Sequence, residues 1–137
     1  MNTNPYLSFQ GNCKDAFDTY ARVLGGQILF STTWGESPMA DQMPEAGRNQ
    51  IMHATIRIGE SLIMGADMPP EHAKPIQGVS MSVNAADAAE ADRIFGALSE
   101  GGQVTMPLEK TFWAERFGMC TDRFGVPWMV NCEMSAK

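Results

Sequence analysis

The alternation of apolar and polar residues is clearest near the carboxyl end of the chain. From Trp113 to Thr121, odd-numbered residues share one face and even-numbered residues the other, which is the two-residue period of a β-strand. The segment Asp122 to Gly125 then offers an aspartate that favours a turn and a glycine suited to positive φ. Pro127 to Asn131 follows as a second strand, with its proline at the first position, where a missing N–H costs least. The pattern predicts a β-hairpin rich in aromatic residues.

A helical period appears near the amino end, after a predicted strand from Asn4 to Gln10. Apolar residues recur there at spacings of three and four, as on one face of a helix, at Phe17, Tyr20, Ala21 and Leu24. Asn12 is the predicted N-cap, with Asp15 in the capping-box position. The pair Gly25-Gly26 is predicted to end the helix.

Three predicted strands complete the first half of the chain. They are Gln27 to Trp34, Gln50 to Ile58 and Ser61 to Ala66. Gly59-Glu60 forms a tight turn between the last two. The polar segment Gly35 to Asn49 is expected to be a mobile loop, and Asp67 to Pro75 a linker with three prolines.

The same order of elements recurs 74 positions later. Met81-Ser82-Val83 corresponds to Leu7-Ser8-Phe9, and the second helical stripe lies at Ala91, Ile94, Phe95 and Leu98. Asp87 and Glu90 form a second capping box, and Gly101-Gly102-Gln103 repeats Gly25-Gly26-Gln27 two residues out of step. Together these matches favour a duplication, with module one at 1–67, a linker at 68–76 and module two at 77–137 in one domain. The predicted fold is α+β, with two βαβββ modules forming an eight-stranded, incompletely closed mixed barrel around a small-molecule cavity.

The composition and net charge of the chain argue against nucleic-acid-binding and membrane proteins. The net charge of −6 argues against a nucleic-acid or anionic-membrane surface. No run reaches the roughly 18 apolar residues of a membrane helix, and the amino terminus lacks a signal-peptide pattern. The three widely spaced cysteines are typical of reduced, buried thiols and predict a cytoplasmic location. The eleven methionines suit either an adaptable ligand cavity or ordinary core packing.

Three segments resemble one known family. They are NPYLSFQGNCKDAFDTYARVLGG, the HATIRIG-x-S-x-I-M-x-x-D run from His53 to Asp67, and TFWAERFGMCTDRFGVPWMVN. They are similar to the PhnB-like branch of the vicinal oxygen chelate superfamily, which includes glyoxalase I, bleomycin and fosfomycin resistance proteins and extradiol dioxygenases. The resemblance implies paired βαβββ modules and a homodimer. It also brings a demethylubiquinone methyltransferase label, but no glycine-rich loop follows a strand and opens a helix to hold a nucleotide-like methyl donor.

The resemblance also implies metal ligands, His and Glu, on the first and fifth strands and near the ends of the fourth and eighth. The matching positions hold Tyr6, Leu7, Ser8 and Phe9; Val79, Ser80, Met81, Ser82 and Val83; Met64 and Asp67; and Trp128, Met129, Val130 and Asn131. No pair of histidines stands there, and neutral Ser and Asn bind transition metals poorly. We therefore expect no metal cofactor, with a rearranged divalent-metal set of His53, Glu36 and Asp67 as the alternative.

The candidate ligand-binding residues are drawn from both modules. They are Trp113, Phe117, Trp128, His53, Ser8, Ser82 and Asn131. Each has a structural alternative: closure of the core for the aromatic residues, anchoring of a strand edge for His53, and satisfied core groups for the small polar residues. We expect a binder of a small apolar or aromatic molecule in a cavity lined by aromatic residues and methionines. The alternative is a metal-dependent lyase, isomerase or dioxygenase, and the sequence leaves open whether the protein is an enzyme and which residue would be catalytic.

Overall fold

The computed structural model describes residues 1–72 and 74–134, and the chain divides into two compact units, 1–74 and 75–137. The boundary between the units falls inside the predicted linker at 68–76. No helix among the described residues combines the length and apolar character that a membrane span needs.

The first unit has the order strand, helix and three strands. Its elements are β1 (Tyr6–Phe9), α1 (Cys13–Leu24), β2 (Gln27–Thr33), β3 (Ile51–Ile58) and β4 (Ser61–Asp67). The sheet order is β1-β4-β3-β2, in which β1 pairs with β4 in parallel and the other pairs are antiparallel. The crossover through α1 is what allows the one parallel pair.

The second unit repeats this arrangement. Its elements are β5 (Met81–Asn84), α2 (Ala88–Ser99), β6 (Gln103–Glu109), β7 (Ala114–Thr121) and β8 (Pro127–Glu133). The sheet order is β5-β8-β7-β6, again with one parallel pair, β5 with β8. The predicted α+β class with two βαβββ modules is therefore confirmed. Neither four-stranded sheet closes on itself.

The two helices differ in how well the sequence predicted their buried faces. In α2 the buried residues are the predicted stripe, Ala91, Ile94, Phe95 and Leu98. In α1 the buried residues are Cys13, Ala16, Phe17, Thr19, Tyr20 and Val23, so the predicted Ala21 and Leu24 are only half-buried. The helices thus align with a spacing of 75 positions, from Cys13 to Ala88, and the predicted spacing of 74 is wrong for them.

The helix caps also differ between the units. Asp87 caps α2 as predicted, because its side chain accepts a hydrogen bond from the backbone N–H of Glu90 at 2.8 Å. Asn12 precedes α1, but its side chain makes no capping hydrogen bond, so the predicted side-chain cap is wrong. Gly25 ends α1 as predicted, in the left-handed conformation with φ +69°.

In each unit an aromatic ring of the helix lies against a glycine of the sheet. A Cβ added to Gly65 on β4 would come within 2.8 Å of the Phe17 ring of α1. A Cβ added to Gly118 on β7 would come within 2.9 Å of the Phe95 ring of α2. These glycines let the helix approach the sheet closely, and they identify the faces of the two sheets that pack on the helices.

The turn of the aromatic hairpin has the predicted form. The backbone N–H of Gly125 donates to the carbonyl of Asp122 at 3.0 Å, and Gly125 has φ +92°. The polar segment after β2 contains three short 3-10 turns, Trp34–Glu36, Ala40–Gln42 and Glu45–Gly47, where the sequence predicted only a loop. A further 3-10 turn, Pro70–His72, lies in the predicted linker.

Candidate functional site

One face of the first sheet packs on α1, and the opposite face carries His53. On β3, Ala54 and Ile56 are buried, so His53 and Thr55 point to the other side. Tyr6 lies on that same side, because it pairs with Met64 and Met64 pairs with Thr55. We call this side the His53 face.

Both ring nitrogens of His53 have hydrogen-bond partners. The Tyr6 hydroxyl lies 3.0 Å from Nδ1, and the Thr55 hydroxyl lies 3.1 Å from Nε2. Whichever tautomer is present, one hydroxyl donates to the imidazole and the other accepts from it, so the three groups form a continuous hydrogen-bonded chain. Burial is the main cause that raises the pKa of Tyr6 above its ordinary value, so its hydroxyl stays protonated at neutral pH.

Aromatic rings flank this polar chain. The ring centroids of Tyr6 and His53 are 5.5 Å apart, and those of Phe30 and His53 are 6.0 Å apart. Tyr6 is 45% exposed and Phe30 54% exposed. The site therefore offers aromatic surface together with hydroxyl and imidazole groups.

Asp67 is a buried structural carboxylate. Its Oδ1 accepts the backbone N–H groups of Gly11 at 2.8 Å and Cys13 at 3.0 Å, and its Oδ2 accepts that of Ile51 at 2.8 Å. Its side chain is 1% exposed. Because both oxygens are engaged in holding the start of α1 and the start of β3, neither is presented to a metal ion.

Glu36 also has a structural role. Its carboxylate accepts the backbone N–H and the hydroxyl of Thr33, at 3.0 and 2.9 Å, and the Thr33 hydroxyl in turn accepts the Glu36 N–H. These hydrogen bonds lower the pKa of Glu36, the backbone bond contributing most. The alternative metal set of His53, Glu36 and Asp67 is therefore not assembled, and residues 1–72 and 74–134 contain no group of three His, Cys, Asp or Glu placed to hold a metal.

The predicted pair Trp113 and Phe117 comes together in the second unit. Their rings make an edge contact with centroids 5.7 Å apart, and Phe112 contacts Trp113 in the same way at 4.8 Å. Trp113 precedes β7 rather than lying within it and is 53% exposed. The hydroxyl of Thr111 fixes this short segment by accepting the N–H groups of Trp113 and Ala114 at 3.3 and 3.0 Å.

Trp128 lies on the other face of the second sheet. It pairs with Cys120, which shares its face with Gly118 and therefore with α2. Trp128 is 1% exposed, and its indole N–H donates to Asp122 Oδ2 at 2.8 Å. The structure therefore places Trp128 in the core of its unit, away from Phe117, in agreement with the structural alternative for this residue.

The three small polar candidates lie on helix-free faces. Ser8 is exposed between the buried Leu7 and Phe9 of β1, so it belongs to the His53 face. Ser82 pairs with Met129, and Asn131 pairs with Phe117, on the α2-free face of the second sheet. The Asn131 amide donates to Asn84 Oδ1 at 3.2 Å.

The three cysteines are buried and unpaired, as the sequence predicted. Burial, followed by the nearby Asp67, raises the pKa of the Cys13 thiol to about 12. Burial, followed by Asp122, raises the pKa of the Cys120 thiol to about 11, and burial also raises that of Cys132. All three remain thiols at neutral pH, so none is an activated nucleophile.

Two features were missed by the sequence reasoning. The first is the Tyr6–His53 hydrogen bond, which joins residues 47 positions apart and depends on the strand order β1-β4-β3. The second is a pocket of about 420 Å³ in the first unit, between the 3-10 turns after β2 and the prolines after β4. The unusual density of proline in that linker was the one available signal.

Comparison with known proteins agrees with this fold. A family model described as 3-demethylubiquinone-9 3-methyltransferase matches residues 1–131. Protein YjdN of Escherichia coli strain K12 is 38% identical over 139 residues, covering 96% of this chain and 95% of YjdN. The crystal structure of PA1353 from Pseudomonas aeruginosa is 46% identical, with a TM-score of 0.89 over 98% of this chain and 99% of PA1353.

A more distant structure shows the same architecture. The PhnB protein from Bacillus cereus has a TM-score of 0.81 at 21% identity, over 96% of this chain and 99% of that protein. At this identity the similarity concerns the fold. The duplicated βαβββ units agree with this shared fold, and the match over residues 1–131 together with the identity to YjdN shows that the chain belongs to the family described as 3-demethylubiquinone-9 3-methyltransferase.

Proposed function

We propose that the protein binds a small apolar or aromatic molecule on the His53 face. The observation that carries this proposal is the hydrogen-bonded chain Tyr6–His53–Thr55, with the Tyr6 and Phe30 rings beside the imidazole. Small-molecule sites typically combine apolar and aromatic walls with a few well-placed polar groups, and this face has that composition. A ligand ring would stack or pack edge-on against the exposed parts of Tyr6 and Phe30.

The hydroxyls of Tyr6 and Thr55 give the face its polar specificity. A hydroxyl has one donor hydrogen and two acceptor lone pairs, so each retains hydrogen-bonding capacity after it has bonded to the imidazole. A ligand hydroxyl would extend the chain from either end, and a ligand carbonyl from the end whose hydroxyl accepts the imidazole N–H and keeps its own hydrogen. His53 would then act as a positioning residue that orients the two hydroxyls.

The aromatic pair of exposed Trp113 and half-buried Phe117 in the second unit supports the same class of ligand. Trp113 and Phe117 present an edge-to-face cluster together with the largely exposed Phe112. The α2-free face of that sheet also carries Met119 and Met129, whose flexible side chains adapt to apolar ligands.

A binding function is favoured over metal-dependent chemistry by where the carboxylates lie. The Asp67 carboxylate accepts hydrogen bonds from three backbone N–H groups, and the Glu36 carboxylate accepts hydrogen bonds from Thr33. Methyl transfer, which the family description names, is not part of the proposal. The β1–α1 connection has a single glycine, Gly11, and the β5–α2 connection has none, unlike the glycine-rich loops that hold nucleotide-like cofactors.

NMR titration with 2-naphthol, a neutral aromatic alcohol, tests the proposed function. We expect the largest amide shifts on β1 and β3, around Tyr6 and His53, and a weaker response in Tyr6→Phe. The variant keeps the ring and removes the hydroxyl. Uniform small shifts across both sheets, or shifts that do not change in Tyr6→Phe, would contradict the proposal.

We further propose that the protein is a cytoplasmic homodimer. The support for dimerisation is the apolar character of two strands that lie at one edge of their respective sheets. Ile28 and Leu29 on β2 are 39% and 46% exposed, and Val104 and Met106 on β6 are similarly exposed. Natural proteins usually cover or pair such edges. The unpaired, buried thiols support the reducing location.

A further inference from the structure

The pocket in the first unit is built on a closed loop, residues 35–50. The backbone N–H of Trp34 donates to the Gln50 carbonyl at 3.0 Å, and that of Gly35 donates to the Arg48 carbonyl at 2.8 Å. These bonds bring the two ends of the segment together, which is the defining property of an Ω-loop. The loop forms one side of the pocket, and Pro69 and Pro70 form the other.

The apolar wall of the pocket has a fixed aromatic ring. Trp34 lines the pocket, and its indole N–H donates to the backbone carbonyl of Asp67 at 3.3 Å. Met43 and Pro44 of the Ω-loop are further apolar lining residues. The volume of about 420 Å³ lies within the range of small-molecule sites and is suited to a ligand with one ring.

The polar lining has a single charge sign. Glu71 is the one acidic lining residue, and Gln42 and Gln50 are neutral polar lining residues. No Lys, Arg or His is among the described residues that line the pocket. Two positively chargeable residues lie nearby in the sequence but do not line the pocket. They are Arg48, whose backbone carbonyl closes the loop, and His72, which is exposed.

We propose that this pocket is a second binding site, distinct from the His53 face, for a small organic cation such as an arylalkyl amine. The face of an indole ring attracts cations through its quadrupole, and the carboxylate adds a direct charge interaction. The prolines and Met43 supply apolar contact for the body of the ligand. A carboxylate ligand is disfavoured because Glu71 repels it and no lining side chain offers a positive charge.

The test compares three probes of similar size that differ in charge. They are 2-phenylethylamine, 2-phenylethanol and 3-phenylpropanoate, titrated while the indole N–H resonance of Trp34 is followed by NMR. We expect the amine to bind about three- to tenfold more tightly than the alcohol, the range that an exposed charge pair plus a cation–π contact supports. The propanoate is expected to bind more weakly than the alcohol.

Two matched variants assign the preference to the pocket. Glu71→Gln removes the lining charge and is expected to make the amine and the alcohol bind about equally. Glu60→Gln removes an exposed carboxylate from the β3–β4 turn, outside the pocket, and should leave the preference intact. Equal binding of amine and alcohol to the wild type, a preference that survives Glu71→Gln, or an unmoved Trp34 resonance would overturn the proposal. His53→Ala should leave amine binding unchanged. The outcome for this pocket is therefore independent of whether a ligand binds on the His53 face.

Discussion

The carboxylate of Asp67 accepts the backbone N–H of Cys13 at 3.0 Å and so caps α1 from 54 positions away in the sequence. The same side chain also accepts the N–H groups of Gly11 and Ile51. One buried acid at the end of β4 therefore ties together the start of the helix and the start of β3. This arrangement explains why the Asn12 side chain has no role in the cap.

Replacing Asp67 with asparagine should destabilise the protein strongly. The amide presents an NH₂ group to at least one backbone N–H and loses the charge, and hydrogen bonds to charged groups contribute about 1.5–3 kcal/mol each. We expect a loss of about 2–4 kcal/mol in the free energy of unfolding, measured by urea denaturation. Asp41→Asn, at an exposed position of the Ω-loop, is the matched control. A change in Asp67→Asn no larger than in the control would contradict the structural role.

The close approach of α2 to its sheet predicts opposite effects on stability for alanine substitutions at two glycines. A Cβ at Gly118 would lie 2.8 Å from the Leu108 Cα and 2.9 Å from the Phe95 ring, so Gly118→Ala should destabilise by about 1–3 kcal/mol. Gly96 lies within α2 with nothing within 4 Å of its added Cβ. Gly96→Ala should therefore stabilise by about 0.5–1 kcal/mol through its helix propensity. Thermal denaturation of the two variants should show shifts of opposite sign, and shifts of the same sign would refute the packing described for α2.

The buried Cys13 thiol predicts a fall in stability at alkaline pH. Its pKa rises from 9.0 to about 12 on folding, so the folded state keeps the proton at pH values where the unfolded chain has lost it. The contribution is fully present below pH 9 and declines as pH rises toward 12. Cys13→Ala cannot titrate at this position, so the stability gap between wild type and variant should be constant below pH 9 and narrow as pH rises toward 12. Urea denaturation at several pH values measures the gap, and a constant or widening gap would contradict the prediction.

The exposed apolar edge of β2 predicts self-association. Light scattering of the purified protein should give about twice the chain mass of 15.0 kDa. Leu29→Glu places a charge on that edge and should shift the population toward the single chain, whereas Glu60→Gln at the β3–β4 turn should not. A wild-type protein that remains at 15.0 kDa at high concentration would exclude the dimer.

Much of the fold could be predicted from residue patterns, because each element is specified locally. The alternation in β7, the buried stripe of α2 and the glycine turns all appear in the structure. The predictions were wrong where a residue distant in the sequence determines the local structure. Asp67 replaces Asn12 as the cap of α1, and the helix is turned so that Ala16 and Val23 face the core in place of Ala21 and Leu24.

The candidate site was less predictable, because strand periodicity identifies two faces without showing what each one contacts. The sequence makes Trp128 a candidate ligand-binding residue with closure of the core as the alternative, and in the structure it shares its face with Cys120 and bonds to Asp122 in the core. His53 was identified as a candidate, but its partner Tyr6 becomes visible only when the order of β1, β4 and β3 is known. Residue type identified the candidate side chains, and the pairing of distant strands decided where each one lies.

The most direct test of the proposed function is the dissociation constant of 2-naphthol for wild type, His53→Ala and His72→Ala, measured by calorimetry. His72 is exposed in the Pro70–His72 turn and provides a matched histidine control. We predict binding about three- to tenfold weaker in His53→Ala, the effect of removing one hydrogen-bonding group, and unchanged in His72→Ala. Equal affinity in all three proteins, or no binding to the wild type, would contradict a ligand site on the His53 face.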